Sequence, residues 1–153
     1  MNQKVKMKPS YLKIAFLDRD GTLIKDYPDE KWREIKEPEF LEGSIEGLKR
    51  LKEMGYDFII ITNQYLINDG IISLNDYQQF TGKFLKKLKE ENIDILKIYF
   101  CPHNEKDHCH CKKPKPGMIE QAKKDFLIDM NNSIYIGDSQ VDYLLAKHFT
   151  LTF

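Results

Sequence analysis

The stretch Ile14-Ala15-Phe16-Leu17-Asp18-Arg19-Asp20-Gly21-Thr22-Leu23 decides the reading of the chain. An apolar run of this kind reads as a buried strand, and the glycine near its end lets the backbone turn sharply. Asp18 and Asp20 then stand at the carboxyl edge of a sheet, where open α/β folds place their ligands. Two carboxylates so close suppress each other's ionisation unless a cation neutralises them. Taken alone, the pair reads equally well as an Asp-rich turn whose side chains bond the local backbone.

Working outward, Lys25 to Phe40 holds Pro28, Pro38 and many charges, which predicts a loop, with Trp32 packed on the domain. Gly43-Ser44 opens a helical pattern through Ile45, Leu48 and Leu51, with Ser44 as N-cap and Gly55 just past the end. Tyr56 to Ile61 is a second, β-branched strand. It delivers Thr62-Asn63-Gln64, whose hydroxyl and amides suit either an anion or a turn. Ser73 and Asp76 predict the cap of the next helix. Tyr77, Phe80, Phe84, Leu85 and Leu88 form its apolar face.

A third strand, Ile95 to Phe100, runs into a cysteine segment, and Pro116 marks a third helix start. Ser133 to Ile136 is a fourth strand ending in Gly137-Asp138, with a last helix around Leu144 to Lys147. This alternation predicts an α/β fold: a three-layer, Rossmann-like parallel sheet covered on both faces. Asp18 and Asp20, Thr62, Asp138 and Asp142 all fall at strand ends, and that convergence favours a site over a set of turns.

At 153 residues, 41% apolar and 31% charged, the chain suits one domain with a core of its own. Residues 1–12 read as an N-terminal tail without the apolar segment of a secretory signal, and 13–153 as the domain. Twenty-four basic residues balance 24 acidic ones, so no net field argues for nucleic acid or a membrane surface as partner. The composition predicts a soluble, cytoplasmic protein, and the protein is expected to act as a monomer.

The cysteines carry more information than their number. Cys101, His103, Cys109 and Cys111 lie in one short segment, as a Cys-x-His and a Cys-x-Cys pair. Three thiolates and an imidazole match a closed tetrahedral Zn²⁺ site, structural because no position is left for water. It would order the loop 101–111, which is too small for a core. His108 and His110 are spare histidines that could replace His103. Directly after come Lys112-Lys113-Pro114-Lys115-Pro116, where prolines restrict the backbone. A lysine presented here can hold a phosphoryl oxygen as a point charge; the alternative for Lys112 and Lys115 is a basic surface turn.

Together, Asp18-Arg19-Asp20-Gly21-Thr22, Thr62, Lys113 and Gly137-Asp138 with Asp142 resemble the four motifs of the haloacid dehalogenase (HAD) superfamily of phosphohydrolases. The zinc loop, the run Cys111-Lys112-Lys113-Pro114-Lys115-Pro116-Gly117-Met118 and Leu127-Ile128-Asp129-Met130 resemble its heptose-bisphosphate phosphatase branch, with histidinol-phosphate phosphatases as near relatives. The resemblance spans about Ile14 to Lys147 and implies a HAD-like domain without a large cap. It also implies a mechanism. Asp18 attacks phosphorus to give an aspartyl-phosphate, and Asp20 is the acid and then the base. Mg²⁺ is held by the Asp18 and Asp138 carboxylates and the Asp20 carbonyl. Thr62 and Lys113 bind the phosphoryl oxygens, and Asp142 orients Lys113 or the metal's waters. By position, Asp26, Tyr27, Asn63, Gln64 and Lys112 face a small phosphorylated metabolite.

The sequence departs from that branch at its rim. Tyr65-Leu66-Ile67-Asn68-Asp69-Gly70 stands where the family usually has Ser-Gly-Ile-Ala-Arg-Gly. Lys112 replaces an arginine and Ser139 a lysine, losing among other things the planar fork that grips phosphate. An intact centre behind a less cationic rim implies a phosphatase whose substrate is altered or less anionic; a zinc-stabilised scaffold without turnover is the alternative. Phe149 to Phe153 reads as a shortened version of the family's last strand.

Overall fold

The structure is a computed structural model and describes residues 10–153. Four strands, β1 (Ile14–Leu17), β2 (Asp57–Asn63), β3 (Lys97–Cys101) and β4 (Ile134–Ile136), alternate with four helices, α1 (Ser44–Glu53), α2 (Leu74–Glu90), α3 (Gly117–Asp125) and α4 (Gln140–His148). All strand pairs are parallel, in the order β3-β2-β1-β4. The chain therefore winds outward from β1 on one side and returns to its other side through β4. The crevice between the carboxyl ends of β1 and β4 is the switch point at which such sheets bind ligands.

The pleat of β1 explains the layers, because successive side chains point to opposite faces. Ile14 and Phe16 join Ile59, Ile61 and Tyr135 in a core with Ile119, Ala122, Leu145 and Ala146 of α3 and α4. Ala15 and Leu17 join Phe58 and Ile60 in a second core with Leu48 of α1 and Phe80, Phe84 and Leu88 of α2. All four residues of β1 are fully buried, which is why its sequence is a continuous apolar run. The three-layer arrangement agrees with the alternation in the sequence. No helix among the described residues is long and apolar enough to cross a membrane.

Several local expectations shift. The segment predicted as a plain loop contains a 3₁₀ helix, Asp29–Glu34, and Ile24 bridges Phe40 across its base. Ser44 is the first helical residue of α1 rather than its cap; Gly43, in the left-handed region, takes the cap position, and the Ser44 hydroxyl donates to the Leu41 carbonyl. Ser73 and Asp76 do form a reciprocal capping box on α2. Residues 1–9 of the expected tail lie outside the described residues. Leu12, placed in that tail by the sequence, bridges Ile128, so the ordered domain starts before residue 13. At the other end Thr152 bridges Ile134 and accepts from the Tyr135 N–H at 2.8 Å, a rudimentary strand beside β4.

Candidate active site

A cavity of about 210 Å³ opens at the carboxyl ends of β1, β2 and β4. Asp18, Asp20, Thr62, Lys113 and Asp138 all line it, brought together from four separate stretches of chain. Asp18 continues β1, and the backbone then turns so that the N–H groups of Leu23 and Ile24 reach the Arg19 carbonyl. That turn needs a glycine. Gly21 has φ +88°, and a Cβ there would stand 2.4 Å from Asp138 Oδ2, so the same position admits the turn and makes room for the second carboxylate.

Lys113 is the electrostatic centre. Its buried ammonium donates to Asp18 Oδ1 at 2.8 Å, Asp142 Oδ1 at 2.7 Å and the Ile61 carbonyl at 2.9 Å. Asp142 is itself fixed by the Tyr135 hydroxyl at 2.6 Å and the Ser139 hydroxyl at 2.7 Å. Both its oxygens accept from donors, one of them the Lys113 ammonium, and its carboxylate also lies with those of Asp18 and Asp138 in one cluster. Burial raises the Asp142 carboxyl, but Lys113 outweighs it and holds it below the usual range. Asp18 behaves oppositely. Burial dominates over Lys113, Asp142 adds repulsion, and its carboxyl is pushed up to about 7.

The Thr22 hydroxyl lies 3.2 Å from both Asp18 Oδ2 and Asp138 Oδ1. One hydroxyl proton cannot satisfy two carboxylates, so these two oxygens are under-supplied with positive charge. Their convergence with hard oxygen donors only is the donor set that Mg²⁺ takes. The residues present fit that ion.

The cysteine segment forms a second cluster, in which all four candidate ligand atoms lie within 4.8 Å of one another. His103 Nδ1 is 3.3 Å from Cys101 Sγ and 3.1 Å from Cys111 Sγ; Cys101 Sγ is 3.6 Å from Cys109 Sγ and 2.8 Å from Cys111 Sγ. Zinc bonds of about 2.3 Å to sulfur and 2.0 Å to nitrogen imply tetrahedron edges of roughly 3.5–3.8 Å. Three of these distances fall within about 0.4 Å of those edges, and the Cys101–Cys111 one is about 1 Å shorter. Burial raises the Cys109 thiol, but the Lys112 and Cys111 N–H groups reverse this and bring it down to about 7. His110 turns away to Glu120 at 3.0 Å.

The family model described as polynucleotide kinase 3 phosphatase matches residues 13–150. Two curated relatives fill out that match. A D-glycero-alpha-D-manno-heptose-1,7-bisphosphate 7-phosphatase of Photorhabdus laumondii is 42% identical over 144 residues, covering 89% of this chain and 77% of the relative. A D-glycero-beta-D-manno-heptose-1,7-bisphosphate 7-phosphatase of Pasteurella multocida is 41% identical over 141 residues, covering 88% and 76%. The chain belongs to this family of HAD phosphatases. A crystal structure of the D,D-heptose 1.7-bisphosphate phosphatase from B. bronchiseptica, complexed with magnesium and phosphate, superposes with a TM-score of 0.80 at 26% identity, covering 90% of this chain and 76% of that one. Like its relatives, the HAD phosphatase described here is a phosphoric monoester hydrolase.

The structure brings Asp18, Asp20, Thr62, Lys113 and Asp138 into one cavity with Asp142 behind Lys113, and Asp26, Asn63 and Gln64 of the expected rim line the same cavity. Asn63 lines the cavity and is also hydrogen-bonded within the protein. Its amide clasps the Lys113 backbone from both sides, accepting from the N–H at 2.8 Å and donating to the carbonyl at 3.2 Å. Gln64 donates to Asp20 Oδ2 and to the Thr62 hydroxyl, both at 2.9 Å. Lys112 is outside the cavity wall, paired with Glu105 at 2.6 Å and lying 5.0 Å over the Tyr65 ring. Tyr27 is also outside it, edge-on to Trp32 at 5.2 Å. Asp26 does line the cavity and accepts from Trp32 Nε1 at 3.1 Å.

Asp29 and Tyr65, which fall within the rim stretches Asp26 to Asp29 and Thr62 to Tyr65, line the cavity as well. Asp29 and Tyr65 close the mouth by a 3.0 Å hydrogen bond, and burial followed by Asp29 pushes the Tyr65 hydroxyl up to about 12. Arg19, which the sequence reading left without a role, lies outside the cavity lining with its Nε and Nη2 against the Asp20 carboxylate. Its signal was available: an arginine between two catalytic aspartates, at the end of a buried strand, must itself be buried and paired.

Proposed function

We propose that this HAD phosphatase hydrolyses a phosphorylated sugar, a heptose bisphosphate by its relatives, through an aspartyl-phosphate on Asp18, with Mg²⁺ as its catalytic ion and Zn²⁺ as a structural one. The observation that carries the reading is Lys113. A buried ammonium 2.8 Å from the nucleophilic carboxylate, fixed by Asp142 and by the Asn63 clasp, supplies positive charge where phosphoryl oxygens gather.

Asp18 attacks phosphorus in line as the bond to the leaving oxygen breaks, and Asp20 gives that oxygen its proton. Water then attacks the same phosphorus, Asp20 takes the water's proton, and the bond to Asp18 breaks. Thr62 is placed to assist, because its hydroxyl accepts from Gln64 and donates only at 3.5 Å to the Asn63 carbonyl, leaving its proton free to turn toward a phosphoryl oxygen. Mg²⁺, held by the carboxylates of Asp18 and Asp138 and the Asp20 carbonyl, supplies charge neutralisation as phosphate approaches a carboxylate. Cys101, His103, Cys109 and Cys111 hold Zn²⁺ and so fix the loop that delivers Lys113.

A second reading is favoured by the rim. Asp26 and Asp29 line the outer cavity, whose only lining cation is the buried, fixed Lys113, and such a wall suits a substrate with an amine, such as histidinol phosphate. The remaining readings are a 3′-phosphorylated nucleic acid, which the absence of net positive charge opposes, and a scaffold without turnover. Turnover of both anomers of heptose 1,7-bisphosphate, histidinol phosphate, p-nitrophenyl phosphate and a 3′-phosphorylated oligonucleotide, with and without Mg²⁺, separates them. The expected result is Mg²⁺-dependent release of phosphate with the heptose bisphosphate preferred. Inactivity on the entire panel, with Mg²⁺ still bound, would leave the scaffold. We place the enzyme in the cytoplasm, as a monomer acting on a small metabolite.

A further inference from the structure

We propose that Arg19, seconded by Gln64, is the positioning device for the Asp20 acid and base, and that its geometry selects Asp20 Oδ1 as the oxygen that carries the proton. The inference rests on the role given to Asp20 above. Arg19 Nε donates to Asp20 Oδ1 at 2.7 Å and Nη2 donates to Oδ2 at 3.1 Å, while Gln64 Nε2 donates to Oδ2 at 2.9 Å. A carboxylate offers about four lone-pair directions, two on each oxygen. Three are taken, both of those on Oδ2 among them. The one left open is on Oδ1.

The fork is held from behind. Arg19 is 2% exposed, its guanidinium lies 5.0 Å from the Phe80 ring centroid and 5.6 Å from that of Tyr77, and Nη1 reaches the Thr81 hydroxyl at 3.4 Å. All three partners stand on α2, so a core helix fixes the guanidinium and the guanidinium fixes the plane of the carboxylate. A planar bidentate fork does this where a lysine, a point charge, cannot. Gln64 extends the constraint by bonding the Thr62 hydroxyl with the same nitrogen, which ties the position of the acid to the group that meets the phosphoryl oxygens. A buried arginine that merely needed a counter-ion would require neither the second contact nor Gln64.

The test uses the dependence on leaving group. An alkoxide needs a proton as it leaves, whereas nitrophenolate does not; hydrolysis of the aspartyl-phosphate needs Asp20 as base in either case. In R19K, kcat/KM for an alkyl phosphate should fall about 10- to 100-fold, a part of the 10²- to 10⁴-fold that a positioned acid supplies. With p-nitrophenyl phosphate the same variant should release about one equivalent of nitrophenolate in a burst at near wild-type rate, followed by slow turnover, the signature of an accumulating covalent intermediate. Q64A, which leaves the ion pair in place, should show the same pattern more weakly, and D20N should show it most strongly. A folded R19K with the wild-type alkyl-to-aryl ratio and no burst, while D20N shows both changes, overturns the proposal and leaves the role of Asp20 standing. If R19K fails to fold, an unchanged ratio in Q64A overturns it. If D20N itself leaves the ratio unchanged, the reading of Asp20 falls and the proposal falls with it.

Discussion

Asp18 ties the stability of the metal-free protein to pH, and the direction follows from its surroundings. Burial lifts its carboxyl from the ordinary 3.8 to about 7, against the pull of Lys113. A group whose folded-state pKa is raised contributes stability that is complete below its unfolded value and is lost as pH rises through the folded one. The window is therefore about pH 4 to 7. Three pH units at 1.36 kcal/mol each give at most about 4 kcal/mol, or roughly 8–16 °C in Tm at 2–4 °C per kcal/mol for a chain of this size. Asp142, held below the usual range, keeps its contribution throughout this window and adds no slope. Mg²⁺ binds the ionised form, so by mass action it should stabilise little at pH 5 and increasingly toward pH 8. The assay is thermal unfolding by circular dichroism, with and without added Mg²⁺, in steps from pH 4 to 8 and without chelator, which would also remove the proposed zinc. D18N should flatten the metal-free profile and lose most of the Mg²⁺ response. A Mg²⁺-induced rise in Tm that is equal at pH 5 and pH 8 would mean that Asp18 is ionised throughout, and would refute the reasoning.

Other perturbations have equally definite outcomes. K113M leaves Asp18 and Asp142 buried without their cation; urea unfolding should show a loss of about 3–5 kcal/mol, and kcat on p-nitrophenyl phosphate should fall about 10²- to 10³-fold. C111S should lower bound zinc from about one equivalent to none by metal analysis, and lower Tm, since four ligands rather than a core hold this loop. F84A removes a fully buried ring that stacks on Phe40 at 5.5 Å; it should cost about 3–5 kcal/mol in urea unfolding with KM little changed, because the ring is not part of the cavity lining.

What was legible in the sequence was whatever a strand end or a short spacing carries by itself. β1 announces itself because a central parallel strand is buried on both faces and so reads as unbroken apolar sequence. Its two aspartates, Thr62 and Asp138 then fall at one sheet edge by topology alone. The zinc cluster was legible because all four ligands lie within eleven residues, and local chain geometry brings them together. The 3₁₀ helix Asp29–Glu34 was hidden by Pro28 and its charges, and it buries little besides Trp32.

The direction in which a polar side chain turns is a different kind of information, since it depends on partners far away in the chain. Asn63 and Gln64 were both expected to meet substrate, on the sound ground that they follow a strand. Yet Asn63 bonds Lys113, 50 residues on, and Gln64 bonds Asp20, 44 residues back. Both line the cavity and use their amides to bond residues of the candidate site. The Asn63 clasp also suggests what the proposed structural zinc would do beside the candidate centre. β3 ends in Cys101, the zinc loop ends at Cys111, and two residues later Lys113 must arrive with its ammonium within 2.8 Å of Asp18. A loop this short, with no core of its own, has too much conformational freedom to place an ammonium so closely. In the proposed function, zinc on Cys101, His103, Cys109 and Cys111 would fix one end of the approach, and Asn63 fixes the other. Loss of either constraint should therefore appear as a fall in kcat before any change in the fold around β1.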